Sequence, residues 1–263
     1  MEMTENIKTL LDFYVEAGID EVIGDEPVNH FGLPATATTA RRSPLQRSAT
    51  STPKPNSPAA TSNTSSPSDV TALVNKCTSI ESLQQALLNF DGCSLKKMAT
   101  KTVFAYGNPI ADLMIIDRPP SSDEDRTGIP FSGQTGKLLL KMLTSIGIKE
   151  DGFYASSLLP WRPPGGRAPT PEEQSICMPF IKRHIELAKP KVLLLCGEAA
   201  APLLEKKTGI NRLRGKWSQA KFGNEDIPTI PIFHPSFLMD HPASKKLAWA
   251  DLLELKAGLA KKT

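Results

Sequence analysis

Two segments of this chain carry side chains suited to holding a flat polar ring and stabilising negative charge. Phe131 follows Pro130 in a loop after a predicted strand, where its ring can stack over a pocket. His234 and Ser236 follow an extended apolar run. At a strand end, a histidine can donate a hydrogen bond to a developing oxyanion, and a serine can bind a phosphate. Taken alone, Phe131 is also compatible with a core anchor, and His234 with an exposed turn.

A third segment joins a buried strand to a polar loop. The apolar run 113–116 breaks at Asp117 and Arg118, and Pro119 and Pro120 then turn the chain toward an acidic loop and an amphipathic helix. Strand, ligand loop and helix in this order build a site at the carboxyl end of the strands in an open α/β sheet.

One further segment presents arginines. The loop 161–167 is rich in Pro and Gly and contains Arg162 and Arg167. Rigid loops with arginines can clamp phosphates or enter the minor groove of DNA. The alternative for this loop is a surface segment whose prolines only limit its flexibility.

The elements that position these residues alternate between strand and helix. Strands are predicted at 112–117, 153–158, 191–196 and 228–233, and helices at 134–146, 171–187, 198–207 and 243–260. This alternation predicts a three-layer α/β fold, in which a central four-stranded, mostly parallel sheet is covered by helices on both faces. The segment 217–230, with Gly223-Asn224 between two extended runs, predicts a hairpin.

Three regions differ in composition. Residues 1–32 contain eight acids and one lysine, a net charge of −7, and place apolar residues at helical spacing. Residues 33–70 are rich in Pro, Ser and Thr, which predicts a disordered linker. Residues 71–263 form the predicted globular domain. The chain from residue 70 onward carries a net charge of +7, which suits a polyanion partner but is also ordinary for such a domain.

Composition also narrows the class of protein. No window approaches 18 apolar residues, so no membrane span is expected, and the acidic N-terminus lacks the pattern of a signal peptide. The four cysteines form no C-x-x-C pair and are expected to be reduced thiols. These features predict a cytoplasmic protein with no membrane partner.

Several motifs resemble those of the uracil-DNA glycosylases of the type-four class. EDRTGIPFSGQTGKLL at 124–139 is similar to that family's EDRxGxPFVGxxGxLL, and WRPPGGR at 161–167 is similar to its RPPGNR loop. His234-Pro235-Ser236 and the LRG turn at 213–215 also match the family. The resemblance covers roughly residues 75–263. It implies the family's α/β fold, DNA as a partner, and hydrolysis of the bond between uracil and deoxyribose.

The resemblance also implies a role for each candidate residue. Phe131 is expected to stack on the uracil, and His234 is expected to act in catalysis, with Asp117 and Arg118 in the catalytic motif. Other residues are assigned to the base pocket or to the DNA backbone: Ser157, Pro119 and Pro120 for the base, and Ser236, Arg162, Arg167 and Arg214 for the DNA.

Two motifs depart from the family pattern. The family's GEAPG motif reads Asp117-Arg118-Pro119-Pro120-Ser121 here, so Arg118 replaces the Glu that is assigned to water activation or to stabilising the sugar cation. At about 4 Å and an effective dielectric near 20, two like charges cost roughly 4 kcal/mol, or about three decades of rate. Asp117 is expected to point to the opposite side of the strand. Ser157 replaces the Asn that reads the base edge, so base reading is weakened or retuned.

A third departure concerns the iron–sulfur cluster of the type-four enzymes. Phe90 and Trp161 stand where that family has two of its four cysteine ligands, which leaves Cys93 and Cys177. Two thiolates cannot hold a four-iron cluster, so no cofactor is predicted. Phe90 and Trp161 are expected to pack where the cluster would sit.

Three functions remain open on these grounds. The first is an active glycosylase in base-excision repair, specific for uracil or another deaminated base. The second is a catalytically silent relative that binds DNA or its lesions, which Arg118 and Ser157 favour. The third is an interaction protein whose segment 1–32 docks a protein partner by its apolar helical face. The chain is expected to be a monomer.

Overall fold

One mixed sheet runs through the part of the chain that the structure describes. The computed structural model describes residues 66–260, which form an α/β fold. The sheet has six strands: β1 (Ala105–Gly107), β2 (Leu113–Asp117), β3 (Phe153–Ser157), β4 (Val192–Cys196), β5 (Ser218–Phe222) and β6 (Glu225–Ile232). Their order is β1-β3-β2-β4-β6-β5. The inner strands are parallel, and each outer strand is antiparallel to its neighbour.

The prediction of a four-stranded sheet is therefore wrong in its count, because β1 was not predicted and the first arm of the predicted hairpin was not counted as a strand of the sheet. The short strand β1 is partly exposed, and its Ala-Tyr-Gly sequence has no alternation of apolar and polar side chains. The other edge strand, β5, is the first arm of the predicted hairpin and pairs with β6 around Gly223 and Asn224. The strands that were predicted all lie in the inner part of the sheet.

Helices cover both faces of the sheet. Within the described residues there are ten α-helices: α1 (Pro67–Asn75), α2 (Ile80–Asn89), α3 (Ser94–Met98), α4 (Ser122–Thr127), α5 (Gly133–Ser145), α6 (Pro171–Ala188), α7 (Ala200–Leu203), α8 (Ile210–Leu213), α9 (Pro235–Asp240) and α10 (Lys245–Ala260). Short 3-10 turns lie at Glu150–Gly152, Pro164–Gly166, Gly197–Ala199 and Pro242–Ser244. No helix in this part of the chain is long and apolar enough to cross a membrane.

The two faces of the sheet carry separate apolar cores, because successive strand residues point to opposite sides. Met114 and Ile116 of β2 pack in the core that includes α1 and α6. Leu113 and Ile115 pack in the core that includes α5 and α10. All four side chains are at most 1% exposed. The three layers of the fold follow directly from this alternation.

The first described helix begins inside the segment that was assigned to the linker. The Ser66 hydroxyl accepts a hydrogen bond from the Asp69 backbone N–H at 3.3 Å, and the Asp69 carboxylate accepts one from the Ser66 N–H at 3.3 Å. This capping box, with Pro67 in the first turn, starts α1. The predicted helical segment within 1–32 and the rest of the linker, 33–65, lie outside the described residues.

The parallel strands bring their carboxyl ends to one edge of the sheet. Asp117 at the end of β2 is in register with Ser157 at the end of β3. On the other side of β2, β4 ends at Cys196, which is paired with Ile232 of β6. His234 follows shortly after Ile232. The sheet therefore brings Asp117, Ser157 and His234 to the same carboxyl edge.

A buried ion pair ties the turn after α8 to α10. Arg214 donates to both carboxylate oxygens of Asp251, at 2.9 Å and 2.6 Å, and to the Leu247 carbonyl oxygen at 2.7 Å. The Arg214 and Asp251 side chains are 16% and 4% exposed. The guanidinium also lies 5.0 Å from the centroid of the Phe233 ring. The arginine that was expected to face DNA is thus committed to contacts within the fold.

Replacing Arg214 with Met is expected to lower the free energy of unfolding by about 3 kcal/mol, because the Asp251 carboxylate stays buried without its partner. The control is Arg126→Met, which removes a 3.6 Å pair with Asp123 whose side chains are 75% and 48% exposed. The control should cost less than about 1 kcal/mol. Urea denaturation measures both variants, and equal losses would contradict a structural role for the Arg214 pair.

Candidate active site

A hydrogen bond between Asp117 and His234 joins the ends of β2 and β6. Asp117 Oδ1 lies 2.8 Å from His234 Nε2, and the two residues are 1% and 6% exposed. The Ser236 backbone N–H donates to His234 Nδ1 at 3.1 Å, and the Ser236 hydroxyl is 2.7 Å from the same nitrogen. Because Nδ1 accepts, Nε2 carries the hydrogen and donates it to Asp117.

Burial sets the protonation states of this pair. Burial, together with the positive charge of Arg118, lowers the pKa of His234 to about 3, so its imidazole is neutral at pH 7. Burial raises the pKa of Asp117 to about 7, although the nearby charge of Arg118 favours the ionised carboxylate. The site therefore holds a neutral hydrogen-bond donor beside a carboxyl group that titrates near neutral pH.

A second buried carboxyl group, Glu124, connects Asp117 to the loop that carries Phe131. Glu124 Oε1 accepts from the Phe131 N–H at 3.0 Å, and Oε2 accepts from the Ser121 N–H at 2.6 Å. Burial and then the negative charge of Asp117 raise the pKa of Glu124 to about 7, so the two carboxyl groups influence each other electrostatically. Sequence reasoning left open whether Glu124 replaces the missing Glu, and the capping-box spacing Ser121-x-x-Glu124 could have indicated where its carboxylate is held.

The Phe131 ring lies over the imidazole of His234. Their centroids are 6.3 Å apart and their planes differ by 17°. Phe131 has a φ of 55°, in the left-handed region that non-glycine residues rarely adopt, which is often found at functional sites. Gly136 of α5 permits this turn, since a Cβ there would lie 1.4 Å from the Phe131 carbonyl oxygen. The strained turn, held by Glu124, therefore orients the ring toward His234.

Ser157 connects the ends of β2 and β3. Its hydroxyl donates to the Arg118 carbonyl oxygen at 2.8 Å, and the residue is 5% exposed. The neighbouring Ser156 hydroxyl donates to the Phe104 carbonyl oxygen at 2.7 Å. Both hydroxyls thus have backbone partners. The shorter side chain of Ser157 secures the turn instead of projecting an amide into the site.

A cavity of about 250 Å³ opens beside this cluster, between the turn 118–122 and the loop 162–169. Most of the predicted site residues that lie outside the Asp117–His234 cluster line this cavity. They are Arg118, Pro119, Pro120, Arg162 and Arg167, and Glu198 lines it as well. Arg167 forms a two-point pair with Glu173, at 2.8 Å and 2.6 Å. The Nε atoms of Arg118 and Arg162 are buried and meet no hydrogen-bond acceptor among the described residues.

The predicted site residues therefore fall into three groups. Five lie in the buried cluster at the carboxyl edge: Asp117, Phe131, Ser157, His234 and Ser236. Arg118, the two prolines and the two loop arginines line the adjacent cavity. Asp117 faces His234 while Arg118 lines the cavity, so the two side chains diverge as strand alternation predicts. Arg214 lies apart, in its pair with Asp251.

The four positions expected to correspond to the family's iron–sulfur ligands lie in the apolar core that includes α1 and α6. The Phe90 and Trp161 rings are stacked with centroids 6.4 Å apart, and Cys93 and Cys177 are buried in the same core. Trp161 Nε1 also donates to the Thr102 hydroxyl at 3.0 Å. Two thiols beside two packed aromatic rings do not fit a cluster that needs four cysteine ligands.

The sequence of this chain is similar to those of known uracil-DNA glycosylases. The family model of the uracil DNA glycosylase superfamily matches residues 104–253, which include the whole carboxyl-edge cluster and the cavity. The type-4 uracil-DNA glycosylase of Archaeoglobus fulgidus is 32% identical over 169 residues, 62% of this chain and 85% of that protein. The type-4 uracil-DNA glycosylase of Thermotoga maritima is 31% identical over 196 residues, 73% of this chain and 94% of that protein. The chain belongs to the uracil DNA glycosylase superfamily.

Proposed function

We propose that this chain is a uracil-DNA glycosylase of the type-four kind, a hydrolase that removes uracil from DNA in base-excision repair. Its family and the names of its relatives support the activity. The observation that carries the proposal is the Phe131 ring parallel to a neutral His234 at the carboxyl edge, because it provides a stacking face and a hydrogen-bond donor for one base. The proposal includes a monomeric, cytoplasmic protein and a possible protein partner for residues 1–32.

The reaction requires the base to leave with negative charge. The bond between C1′ and the base nitrogen breaks, its electron pair stays with the base, and a water oxygen bonds to C1′ and releases a proton. His234 stabilises the departing base through its Nε2–H, and Phe131 holds the base plane by stacking. In the structure this N–H donates to Asp117, so an entering base must displace the Asp117 oxygen from it.

Asp117 is the proposed acceptor of the proton that the attacking water loses, since Arg118 stands where the family has a Glu. A pKa raised by burial to about 7 suits a general base near neutral pH. Glu124 keeps the Asp117 carboxyl coupled to the Phe131 loop. Arg118 opposes the positive charge that develops on the sugar, and at about 4 Å that opposition would slow the chemical step by roughly three decades.

Replacing His234 with Ala is expected to lower the single-turnover rate of uracil release by about 100-fold or more, because the departing base loses its donor. The matched control is His241→Ala, which alters an exposed histidine stacked on Phe237 and should leave the rate unchanged. Release is measured from uracil-containing single- and double-stranded oligonucleotides. Equal rates for wild type and His234→Ala would contradict the role of His234.

The single-turnover rate is expected to rise about tenfold per pH unit up to about pH 7 and then to level off, because Asp117 must be ionised to accept a proton. Asp117→Asn should lower the rate and flatten this profile. Asp112→Asn is the control, since Asp112 forms a half-exposed pair with Lys191 at 3.0 Å. A wild-type rate that does not change between pH 5 and pH 8 would rule out Asp117 as the acceptor.

A second candidate function is binding of DNA lesions without cleavage. The observation that favours it is that both polar groups facing the base position already have protein partners: His234 donates to Asp117, and Ser157 donates to the Arg118 carbonyl. Retained DNA binding without release of uracil or any other deaminated base would establish this second function and overturn the first.

We also propose that the chain carries no iron–sulfur cluster, because Phe90 and Trp161 replace two ligands and stack on each other. Anaerobically purified protein is expected to contain no stoichiometric iron and to show no visible absorption band of a cluster. The double variant Phe90→Cys, Trp161→Cys restores four cysteines and serves as the positive control for reconstitution. Stoichiometric iron in wild type that is lost in Cys93→Ala would contradict the proposal.

A further inference from the structure

We propose that the cavity between 118–122 and 162–169 holds one phosphodiester group of the DNA strand, bound by Arg118 and Arg162. The inference deepens the proposed function and depends on DNA being the substrate. It gives Arg118, whose charge disfavours the chemical step, a positive role in holding the strand.

The first support is the pair of unsatisfied donors. Arg118 and Arg162 line the same cavity, and their Nε atoms are buried and meet no acceptor among the described residues. A buried donor without a partner is costly, and native proteins rarely keep one without a ligand or water to satisfy it. A guanidinium presents its donors as a planar fork that matches two phosphate oxygens. An oxyanion of phosphate size would satisfy both arginines at once.

The second support is the charge of the cavity lining. Arg167 is neutralised by its two-point pair with Glu173, so it adds no free charge. The remaining charged residues of the lining are Arg118, Arg162 and the exposed Glu198. Their net charge of +1 equals the single negative charge of a phosphodiester in magnitude. A terminal phosphate monoester, with nearly two charges at pH 7, would be left undercompensated.

The third support is the position of the cavity relative to the base site. Arg118 directly follows Asp117, and its carbonyl oxygen accepts the hydrogen bond from Ser157. Its charge is close enough to lower the pKa of His234. A phosphate held at Arg118 would therefore adjoin the nucleotide whose base stacks on Phe131 and accepts from His234. Phosphate contacts of this kind fix the register of a strand without reading its sequence.

The test is a thermodynamic cycle between one arginine and one phosphate. A single-stranded oligonucleotide carries one uncleavable uracil nucleotide, and single uncharged methylphosphonate linkages replace the phosphates around it in turn. Wild-type affinity should fall about tenfold at one position beside the uracil, as expected for losing one charge-assisted contact. Arg118→Gln should bind the unmodified strand about tenfold more weakly and show no further loss at that position.

Controls separate this subsite from the general charge of the protein. Lys191→Gln also removes one positive charge, but at the amino end of β4, away from the cavity. This variant should still lose affinity about tenfold when the methylphosphonate is at the sensitive position. Arg162→Gln should behave like Arg118→Gln, and thermal unfolding should confirm that both variants fold. An Arg118→Gln protein that remains as sensitive as wild type at every linkage would overturn the proposal.

Inorganic phosphate distinguishes a strand phosphate from a free anion. Weak competition by inorganic phosphate that disappears in Arg118→Gln agrees with the strand subsite. The proposal would be overturned if inorganic phosphate binds saturably but no methylphosphonate linkage weakens DNA binding in an Arg118-dependent way. The cavity would then bind a free anion. Because these affinities are measured on uncleavable DNA, they do not depend on base release, which separately tests the proposed glycosylase.

Discussion

The buried hydrogen bond between Asp117 and His234 is the contact on which the site depends. It joins two strands that are separated in the sheet by β4, so its length of 2.8 Å requires the parallel register of all three strands. It also fixes which imidazole nitrogen carries the hydrogen, since the Ser236 N–H occupies the other one. Glu124 holds the Phe131 N–H, and its carboxyl group also interacts electrostatically with that of Asp117.

Charge divides the site into two compartments. On one side, burial keeps His234 neutral and raises the pKa values of Asp117 and Glu124, which favours uncharged forms around the proposed base position. On the other side, Arg118 and Arg162 line a cavity, and their buried Nε donors meet no acceptor among the described residues. Arg118 belongs to both compartments, because its backbone directly follows β2 and its side chain lines the cavity.

Local patterns predicted most of the fold. The apolar run 113–116 lies in β2, and the predicted helix 171–187 matches α6 at Pro171–Ala188 to within one residue. The three-residue edge strand β1 was missed because its residues carry no period-2 pattern and form a strand only by pairing with β3. The predicted helix 198–207 is shorter, a 3-10 turn followed by α7 that ends at Leu203 just after Pro202.

The candidate site was less predictable, because its partners are distant in sequence. Phe131 and His234 were singled out from their motifs, and the fold brings them together. The fixed tautomer of His234 and the coupling of Asp117 to Glu124 depend on burial and on contacts up to 117 residues apart. Arg214 was expected at the DNA, but its partner Asp251 lies 37 residues later and no local pattern indicates the pair.

The most direct test of this account is the ¹⁵N chemical shift of the His234 imidazole, measured by NMR with and without DNA that carries an uncleavable uracil nucleotide. The account predicts a neutral ring with the hydrogen on Nε2 at pH 7. It also predicts a shift of the Nε2 signal with the uracil strand but not with a matched thymine strand, because the donor passes from Asp117 to the base. A protonated imidazolium, or an Nε2 signal unchanged by saturating uracil DNA, would contradict it.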